Sequence, residues 1–186
     1  MINAEGGQPR QVTFGDLDNA VPSWSVDGQW LYCASNQSGS WEVWKRAVDG
    51  GASAQVTHHG GFAPLPSPDG RWVYYAKGRD LPGLWRVPVD GGEEIKILDA
   101  PPAAGWGYYA IARDGIYFAD VLIPDQGGVY FYDLRTQKRS LVHLLTDKRP
   151  ESGAPALAIS PDERTFLISL QEQPLVSIIL VENFRH

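Results

Sequence analysis

Hydrophobic and polar residues alternate along this chain in short runs, and glycine, proline or aspartate bounds nearly every run. No segment has the apolar period of 3.6 residues that would indicate a helix. Asp-Gly pairs stand between apolar runs, and such a pair is a strong hairpin signal because glycine adopts a positive φ without steric cost. The pattern therefore predicts an all-β chain built from hairpins.

One segment of this pattern is written several times. Residues Ser25–Tyr32 recur as Ser67–Tyr74, with shorter echoes at Arg113–Phe118 and Ser160–Leu167. The repeated aspartates, at positions 27, 69, 114 and 162, are 42, 45 and 48 residues apart. This period is close to the ~40–45 residues of a four-stranded propeller blade.

A second motif repeats in phase with the first. Trp44–Gly51 matches Trp85–Gly92 at an offset of 41 residues. Because two independent motifs keep the same spacing, we interpret the chain as copies of one blade. Trp44 and Trp85 share one position of the third strand, which favours packing between neighbouring blades over stacking on a ligand.

Each blade is predicted to hold four antiparallel strands, A to D. The predicted strands are 22–25, 30–34, 41–48 and 54–58 in blade 1; 63–67, 72–77, 84–89 and 94–98 in blade 2; 107–112, 116–120, 129–134 and 140–145 in blade 3; and 156–160, 166–170 and 177–184 in blade 4. The blades then occupy residues 17–61, 62–102, 103–152 and 153–186 of one propeller domain.

The two ends of the chain are predicted to complement each other. Blade 4 lacks a strand D, whereas residues 6–14, within the segment 1–16, match the strand D region at 50–57. We expect the N-terminal strand to complete the last blade, within one chain or by exchange in a dimer, because that leaves no open sheet edge. The predicted fold is thus a β-propeller of four blade-equivalents.

These motifs resemble the TolB-type, WD-repeat-like propeller blades of bacteria, whose mark is Ser-Pro-Asp-Gly followed by an aromatic-rich strand B. Leu81–Val89 and Leu180–Arg185 are similar to the C-terminal propeller of large bacterial regulator or sensor proteins. The resemblance implies rings wider than four blades, and we expect the chain to be a segment of a longer propeller. Blade 3 departs from the pattern by lacking the proline, and blade 4 by having Glu163 where glycine is expected.

Composition narrows the choice of partner. The 186 residues include 16 Lys and Arg against 22 Asp and Glu, a formal net charge of −6. Without a basic block, a nucleic-acid partner is not expected. No apolar run approaches the ~20 residues that span a bilayer, so we expect a soluble chain without membrane insertion. The single cysteine, Cys33, is expected to be a small buried hydrophobe, and it does not distinguish a periplasmic from a cytoplasmic location.

No motif in the sequence predicts catalysis. Ser-Pro-Asp-Gly recurs as turn geometry, and the known nucleophile, zinc-protease and phosphate-loop motifs are missing. His58 and His59 are adjacent, so on a strand they point to opposite faces and do not readily share a metal ion. Residues Asp16–Asn19 lack the length and glycine of a calcium loop. We expect no enzyme activity, no metal and no cofactor.

The loops are predicted to sort onto two faces. The A–B and C–D hairpins form a repetitive "hairpin face", and the B–C and D–A connections form a "variable-loop face". Because variable loops on a rigid scaffold commonly carry recognition, we place the binding candidates on the second face. They are Trp106, Tyr108, Tyr109, His58, His59, Arg79 and Asp80. The alternative is that Trp106 and its neighbours pack the propeller channel.

The sequence therefore predicts a non-catalytic scaffold that binds a protein, a peptide or a small ligand. It would be a segment of a bacterial regulator, sensor or envelope protein; the alternative is an accessory propeller of an enzyme such as a serine peptidase. Two assemblies stay open: four blades that close alone, or a homodimer that completes an eight-bladed ring. The resemblance to wider rings favours the homodimer.

Overall fold

The computed structural model describes residues 1–14, 17–100, 107–120, 127–145, 149–150, 157–171 and 176–182. The described residues form sixteen β-strands. They are β1 (Asn19–Trp24), β2 (Trp30–Ser35), β3 (Glu42–Ala47), β4 (Ser53–Gln55), β5 (Phe62–Pro66), β6 (Trp72–Ala76), β7 (Leu84–Pro88), β8 (Ile95–Leu98), β9 (Tyr109–Ile111), β10 (Gly115–Asp120), β11 (Gly128–Asp133), β12 (Arg139–Leu144), β13 (Arg149–Pro150), β14 (Leu157–Ile159), β15 (Thr165–Gln171) and β16 (Val176–Glu182).

The strands form four antiparallel sheets that follow one another along the chain. Blades 1, 2 and 3 are the four-stranded sheets β1 to β4, β5 to β8 and β9 to β12, each with its strands in sequence order. The A strands pack successively, β1 against β5, β5 against β9 and β9 against β14. The predicted all-β propeller fold is confirmed.

The Ser-x-Asp turn between strands A and B has one hydrogen-bond pattern in three blades. In blade 2, the Ser67 hydroxyl donates to Asp69 at 2.6 Å and accepts from the amide of Trp72 at 3.0 Å. The same serine-to-aspartate bond, also 2.6 Å long, links Ser25 to Asp27 and Ser160 to Asp162. The repeated Ser and Asp are therefore used to build turns.

Glu163 occupies a backbone conformation that the other blades give to glycine. Its φ is +58°, beside +70° for Gly28 and +69° for Gly70. Its carboxylate accepts a hydrogen bond of 2.9 Å from the backbone amide of Arg113 in blade 3. This contact between blades offsets part of the cost of a side chain in the left-handed region.

The inner blades bury both faces of their sheets. Successive strand residues point to opposite faces, so Tyr74 packs towards blade 3 with Tyr109, whereas Tyr75 packs towards blade 1 with Tyr32. At the junction of blades 3 and 4, Tyr117 lies in one cluster with Phe166. The aromatic strand residues are thus the core between blades.

The prediction for the third-strand tryptophans holds for one of them. Trp85 packs against the cluster between blades 1 and 2. Tyr32 on β2 points to blade 2, so the next residue, Cys33, points to the opposite face. Trp44 pairs with Cys33 and therefore also lies on the face that points away from blade 2. Cys33 is buried as expected, and its burial raises the pKa of the thiol.

Blade 4 is three strand positions wide. β15 pairs with β16 along one edge, while β14 and β13 both pair with its other edge. Phe166, Ile168 and Leu170 on β15 are buried against blade 3. Among the described residues, no fourth strand position extends this sheet beyond β16.

The N-terminal segment does not complete blade 4 within the chain. Residues 1–14 form no strand, and the backbone of Met1 and Arg10 is joined by two hydrogen bonds. The guanidinium of Arg10 donates to the carbonyl oxygen of Val48, beside the C–D turn of blade 1. Because the blades pack in succession, this segment lies at the first blade rather than the last. The expected in-chain pairing is therefore wrong, and exchange between two chains stays a prediction.

The Ser67–Asp69 turn makes stability depend on pH in the acid range. Hydrogen bonds from Ser67, from the amide of Arg71 and from its side chain lower the pKa of Asp69 to about 2. A depressed carboxyl pKa adds stability above the unfolded value of about 3.9, and this is lost as the pH falls through the folded value. Asp69→Asn should lower the chemical-denaturation midpoint at pH 7, and this effect should vanish near pH 2.

The control is Ser67→Ala, which removes the strongest donor and should move the pKa of Asp69 back towards its ordinary value. Carboxyl NMR shifts followed over pH measure that pKa directly. A wild-type Asp69 that titrates near pH 4 would contradict this account of the turn.

Candidate functional site

The variable-loop face is best described at the junction of blades 1 and 2. There the D–A connection 56–61 of blade 1 lies beside the B–C loop 77–83 of blade 2. Two glutamates, the buried Glu42 of blade 1 and the partly buried Glu94 of blade 2, hold this connection. We refer to the loops 56–61 and 77–83, together with Glu42 and Glu94, as the "junction site".

Glu42 is a carboxylate buried at the start of β3, with 2% of its surface exposed. One oxygen accepts the Thr57 hydroxyl at 2.7 Å and the other accepts the Ser40 hydroxyl at 3.1 Å. The amide of Gly60 points at both oxygens, at 3.1 Å. Thr57 in turn accepts the amide of Val43 at 2.8 Å. Since an unsatisfied buried charge is costly, this network ties the connection firmly to β3.

The glycines after the histidine pair permit this close approach. A Cβ atom on Gly61 would lie 2.6 Å from the amide nitrogen of Val43, and one on Gly60 would lie 2.4 Å from the carbonyl oxygen of Lys77. Gly60 also has a φ of +89°. The Gly60-Gly61 pair is thus required by the close packing of the connection between two blades.

Glu94 holds the same connection from blade 2. It accepts the amide of His58 at 2.8 Å and forms a salt bridge with Lys77. Burial alone would raise the pKa of Glu94, but hydrogen bonds from Lys77, the His58 amide and Tyr75 hold it below its ordinary value. The Lys77 ammonium also lies 5.3 Å from the ring centre of Tyr75. Glu94 and Lys77 therefore form a charged pair with a defined geometry.

The histidine pair lies on the 56–61 connection that Glu42 and Glu94 hold. His58 and His59 are exposed, and the side chain of His59 retains 80% of its accessible surface. The His59 imidazole Nδ1 lies 3.6 Å from a Glu94 oxygen. Arg79 and Asp80 are exposed on the adjacent loop, and the Arg79 guanidinium lies 5.6 Å from the ring centre of Phe62. The structure thus places four of the predicted residues on one junction.

The aromatic candidates are placed differently. Tyr109 is fully buried, and its hydroxyl donates to the carbonyl oxygen of Ala63, while Tyr108 is 7% exposed. Ala63 has a φ of +49° at an irregularity of β5, so the Tyr109 hydroxyl helps to hold this kink. Both tyrosines belong to the cores between blades, and Trp106 lies outside the described residues.

Sequence reasoning missed the two glutamates and Thr57. Glu42 follows Trp41 in a segment that reads as an ordinary strand, and Glu94 reads as a solvated turn residue. The available signal was the Gly60-Gly61 pair, since two glycines after a strand indicate that the backbone approaches a neighbour closely.

The described residues contain no group of three His, Cys, Asp or Glu side chains that could hold a metal ion. In the same part of the chain, no helix has the length and apolar character needed to cross a membrane. The oxygens of Glu42 are occupied by hydrogen bonds from the protein itself. The geometry of the junction site is that of a rigid support with exposed cationic and imidazole groups above it.

Comparison with known proteins identifies the fold. No protein-family model matches the sequence. The uncharacterized protein Atu1656 of Agrobacterium fabrum is 33% identical over 104 residues, which cover 54% of this chain and 35% of that protein. The match therefore spans about a third of this curated relative.

Solved structures show the same architecture. TolB from Acinetobacter baumannii matches with a TM-score of 0.74 at 13% identity, over 98% of this chain and 45% of TolB. A puromycin-hydrolyzing peptidase of Mycobacterium tuberculosis matches with a TM-score of 0.65 at 13% identity, over 89% of this chain and 30% of the peptidase. Oligogalacturonate lyase from Vibrio parahaemolyticus matches with a TM-score of 0.61 at 14% identity, over 91% of this chain and 64% of the lyase. The chain has the TolB-like β-propeller fold.

The buried hydroxyl of Thr57 can be tested by Thr57→Val, which keeps the shape and removes the oxygen. We expect a loss of stability of about 1–3 kcal/mol, because the Glu42 carboxylate and the Val43 amide each lose a buried partner. Urea denaturation measures the loss. Ser38→Ala is the control, since Ser38 is exposed on the same face. Equal midpoints for Thr57→Val and the wild type would contradict a stabilising role of the Glu42–Thr57 hydrogen bond.

Proposed function

We propose that this chain is a non-catalytic propeller segment that binds a protein or peptide partner through the junction site on its variable-loop face. The observation that carries the proposal is the support of the 56–61 connection by Glu42 and Glu94. This support holds the backbone beneath His58 and His59 while their side chains face solvent. A preorganised loop loses little entropy on binding, which favours recognition.

The charged groups of the junction site fit binding better than catalysis. General acid–base chemistry needs a titratable group within hydrogen-bond reach of a substrate. Here Glu42 is buried under Thr57 and Gly60, and Glu94 is engaged by Lys77 and the His58 amide. The exposed groups, His59 and Arg79, are donors or cations that suit contact with a polar or acidic surface.

The binding proposal can be tested with peptides selected from a random phage-displayed library on the immobilised chain. We expect the selected peptides to lose most of their affinity for the double variant His58→Ala/His59→Ala and for Arg79→Ala. These residues are exposed, so the variants should fold normally. Biolayer interferometry with synthetic peptides measures the change.

The matched control is Gln29→Ala on the opposite hairpin face, which should bind as the wild type does. Peptides that bind all variants equally would overturn the junction site as the binding surface. Hydrolysis or other turnover of the peptides by the purified chain would overturn the non-catalytic assignment.

A second candidate is an accessory propeller of a serine peptidase. It is favoured by the structural likeness to the puromycin-hydrolyzing peptidase, of which the matched region covers 30%. Sequencing the gene beyond the codon for His186 separates the two candidates, because a hydrolase domain encoded there would favour the accessory role.

We also propose that a second copy of the chain covers the outward faces of the terminal blades. On blade 4, Leu167 and Ile178 are 44% and 75% exposed and share the face that points away from blade 3. On blade 1, Trp24 is 50% exposed and pairs with Leu31 on the face that points away from blade 2. By repeat position, Leu167 matches Tyr74 and Leu31 matches Val73, and both Tyr74 and Val73 pack between blades. Two copies joined head to tail would give eight blades.

Light scattering tests this assembly. The wild type should have the mass of a dimer, and Ile178→Asp should have the mass of a monomer because a charge would be buried in the contact. Leu141→Asp is the control, since Leu141 is 51% exposed on β12 of blade 3 and lies outside the proposed contact. A monomeric wild type would overturn the second copy as the occupant of these faces.

A further inference from the structure

A groove opens on the hairpin face between blades 2 and 3, on the side of the molecule opposite the junction site. Its volume is about 340 Å³, and three arginines and one aspartate line it together with aromatic and apolar residues. The charged lining residues are Arg71, Arg86, Arg113 and Asp69. This local excess of positive charge stands out in a chain with a net charge of −6.

The junction of blades 1 and 2 shows how the repeat normally treats this position. Lys45 on β3 lies 5.0 Å from the ring centre of Trp30 and reaches across to blade 2. There it forms a salt bridge of 2.6 Å with Asp90 and donates to the carbonyl oxygen of Val89 at 3.0 Å. The cation of one blade is thus neutralised by the C–D turn of the next.

Arg86 is the blade 2 residue at the position of Lys45. Lys45 pairs with Tyr32 and Arg86 pairs with Tyr74 at the same register, and the Arg86 guanidinium lies 4.2 Å from the ring centre of Trp72. Among the described residues, the buried Nε of Arg86 has no hydrogen-bond partner. The junction of blades 2 and 3 therefore keeps a cation, Arg86, but lacks the counterpart of the salt bridge that Lys45 forms with Asp90 at the junction of blades 1 and 2.

The missing partner has a cause in the sequence. Val89 and Leu134 occupy equivalent positions, since each donates its backbone amide to a carbonyl oxygen in the A–B turn of its own blade. The acceptor is Arg71 in blade 2 and Asp114 in blade 3. The residue after Val89 is Asp90, and the residue after Leu134 is Arg135. Blade 3 thus carries an arginine where blade 2 carries the neutralising carboxylate.

The other charges leave the groove positive. Asp69 is the carboxylate among the lining residues, and it is held by Ser67 and by both the amide and the side chain of Arg71. Arg113 enters from the A–B turn of blade 3, where its amide donates to Glu163. Arg86 and Arg113 therefore face the groove from two different blades.

From this charge reversal we infer that the groove between blades 2 and 3 is a binding site for an acidic peptide segment, whose carboxylate takes the place that Asp90 has at the first junction. A guanidinium offers a planar fork that matches a carboxylate. Apolar lining residues, among them Tyr74, Ile111 and Leu134, suit an apolar side chain next to the acidic one. This site is independent of the proposed junction site.

The test uses an acetylated and amidated Gly-Leu-Glu-Glu-Leu-Gly hexapeptide, titrated into the full chain labelled with ¹⁵N. The indole N–H signal of Trp72 should shift, and the affinity should fall as the salt concentration rises. Arg86→Gln and Arg113→Gln should each weaken binding by about tenfold, the effect of losing one charge-assisted hydrogen bond. The same peptide with glutamine in place of glutamate should not bind.

Two further variants separate a binding site from a structural role of Arg86. Arg135→Asp restores the carboxylate of the repeat, so it should raise the thermal midpoint and weaken peptide binding by about tenfold. Lys45→Gln changes the equivalent cation of the first junction and should leave peptide binding unchanged. If Arg86→Gln does not fold, the exposed Arg113→Gln carries the test.

Three results would overturn the inference. The first is the absence of any shift at Trp72 with the acidic peptide. The second is equal binding by the wild type and Arg113→Gln. The third is a response to inorganic phosphate at the same ionic strength without a response to the peptide, which would identify a small-anion site instead.

Discussion

The structure depends on the fact that each sheet has two apolar faces, and a flat sheet alone can bury neither of them. Tyr74 and Tyr75 are adjacent on β6 and face opposite blades. A buried tyrosine removes ~150–250 Å² from water, which is worth roughly 4–6 kcal/mol before opposing terms. Blades must therefore stack, and stacking in sequence order produces an arc whose terminal faces retain exposed residues such as Trp24 and Ile178.

Stacking also explains the role of the polar contacts at the junction of blades 1 and 2. Connections that cross a junction bring backbone amides into the interior, and each amide needs an acceptor. Glu42 supplies acceptors for the Gly60 amide, and Glu94 supplies one for the His58 amide. The same bonds that satisfy these amides fix the loop above them. At this junction, the hydrogen bonds that close the core therefore also hold the 56–61 connection in place.

The hairpin face shows how a repeated unit acquires a local difference. Ser67 and Asp69 build the same turn as Ser25 and Asp27, so blades 1 and 2 share this turn, whereas the turn of blade 3 between Ala112 and Gly115 is two residues shorter. Single substitutions on the repeated blade then change the charge of one groove and not of its neighbour. A function that depends on the contrast between Asp90 and Arg135 can arise without any change of fold.

The strands, the turns and the blade period can be predicted from the sequence because they depend on residues close together in the chain. The Ser-x-Asp turns of blades 1, 2 and 4 and the alternating apolar positions are local features, and the structure follows them. The display of His58 and His59 followed from the same pattern.

Which distant residues meet depends on how the blades fold and stack. Glu94 meets the His58 amide through the packing of blade 2 against blade 1, and Glu42 meets Gly60 through the folding of blade 1 itself; nothing in their local sequence marks these residues as partners. The N-terminal segment lies at blade 1, and Tyr109 is buried, for the same reason. Hydrogen bonding and burial between blades depend on how sheets stack in space, whereas the period along the chain depends only on neighbours.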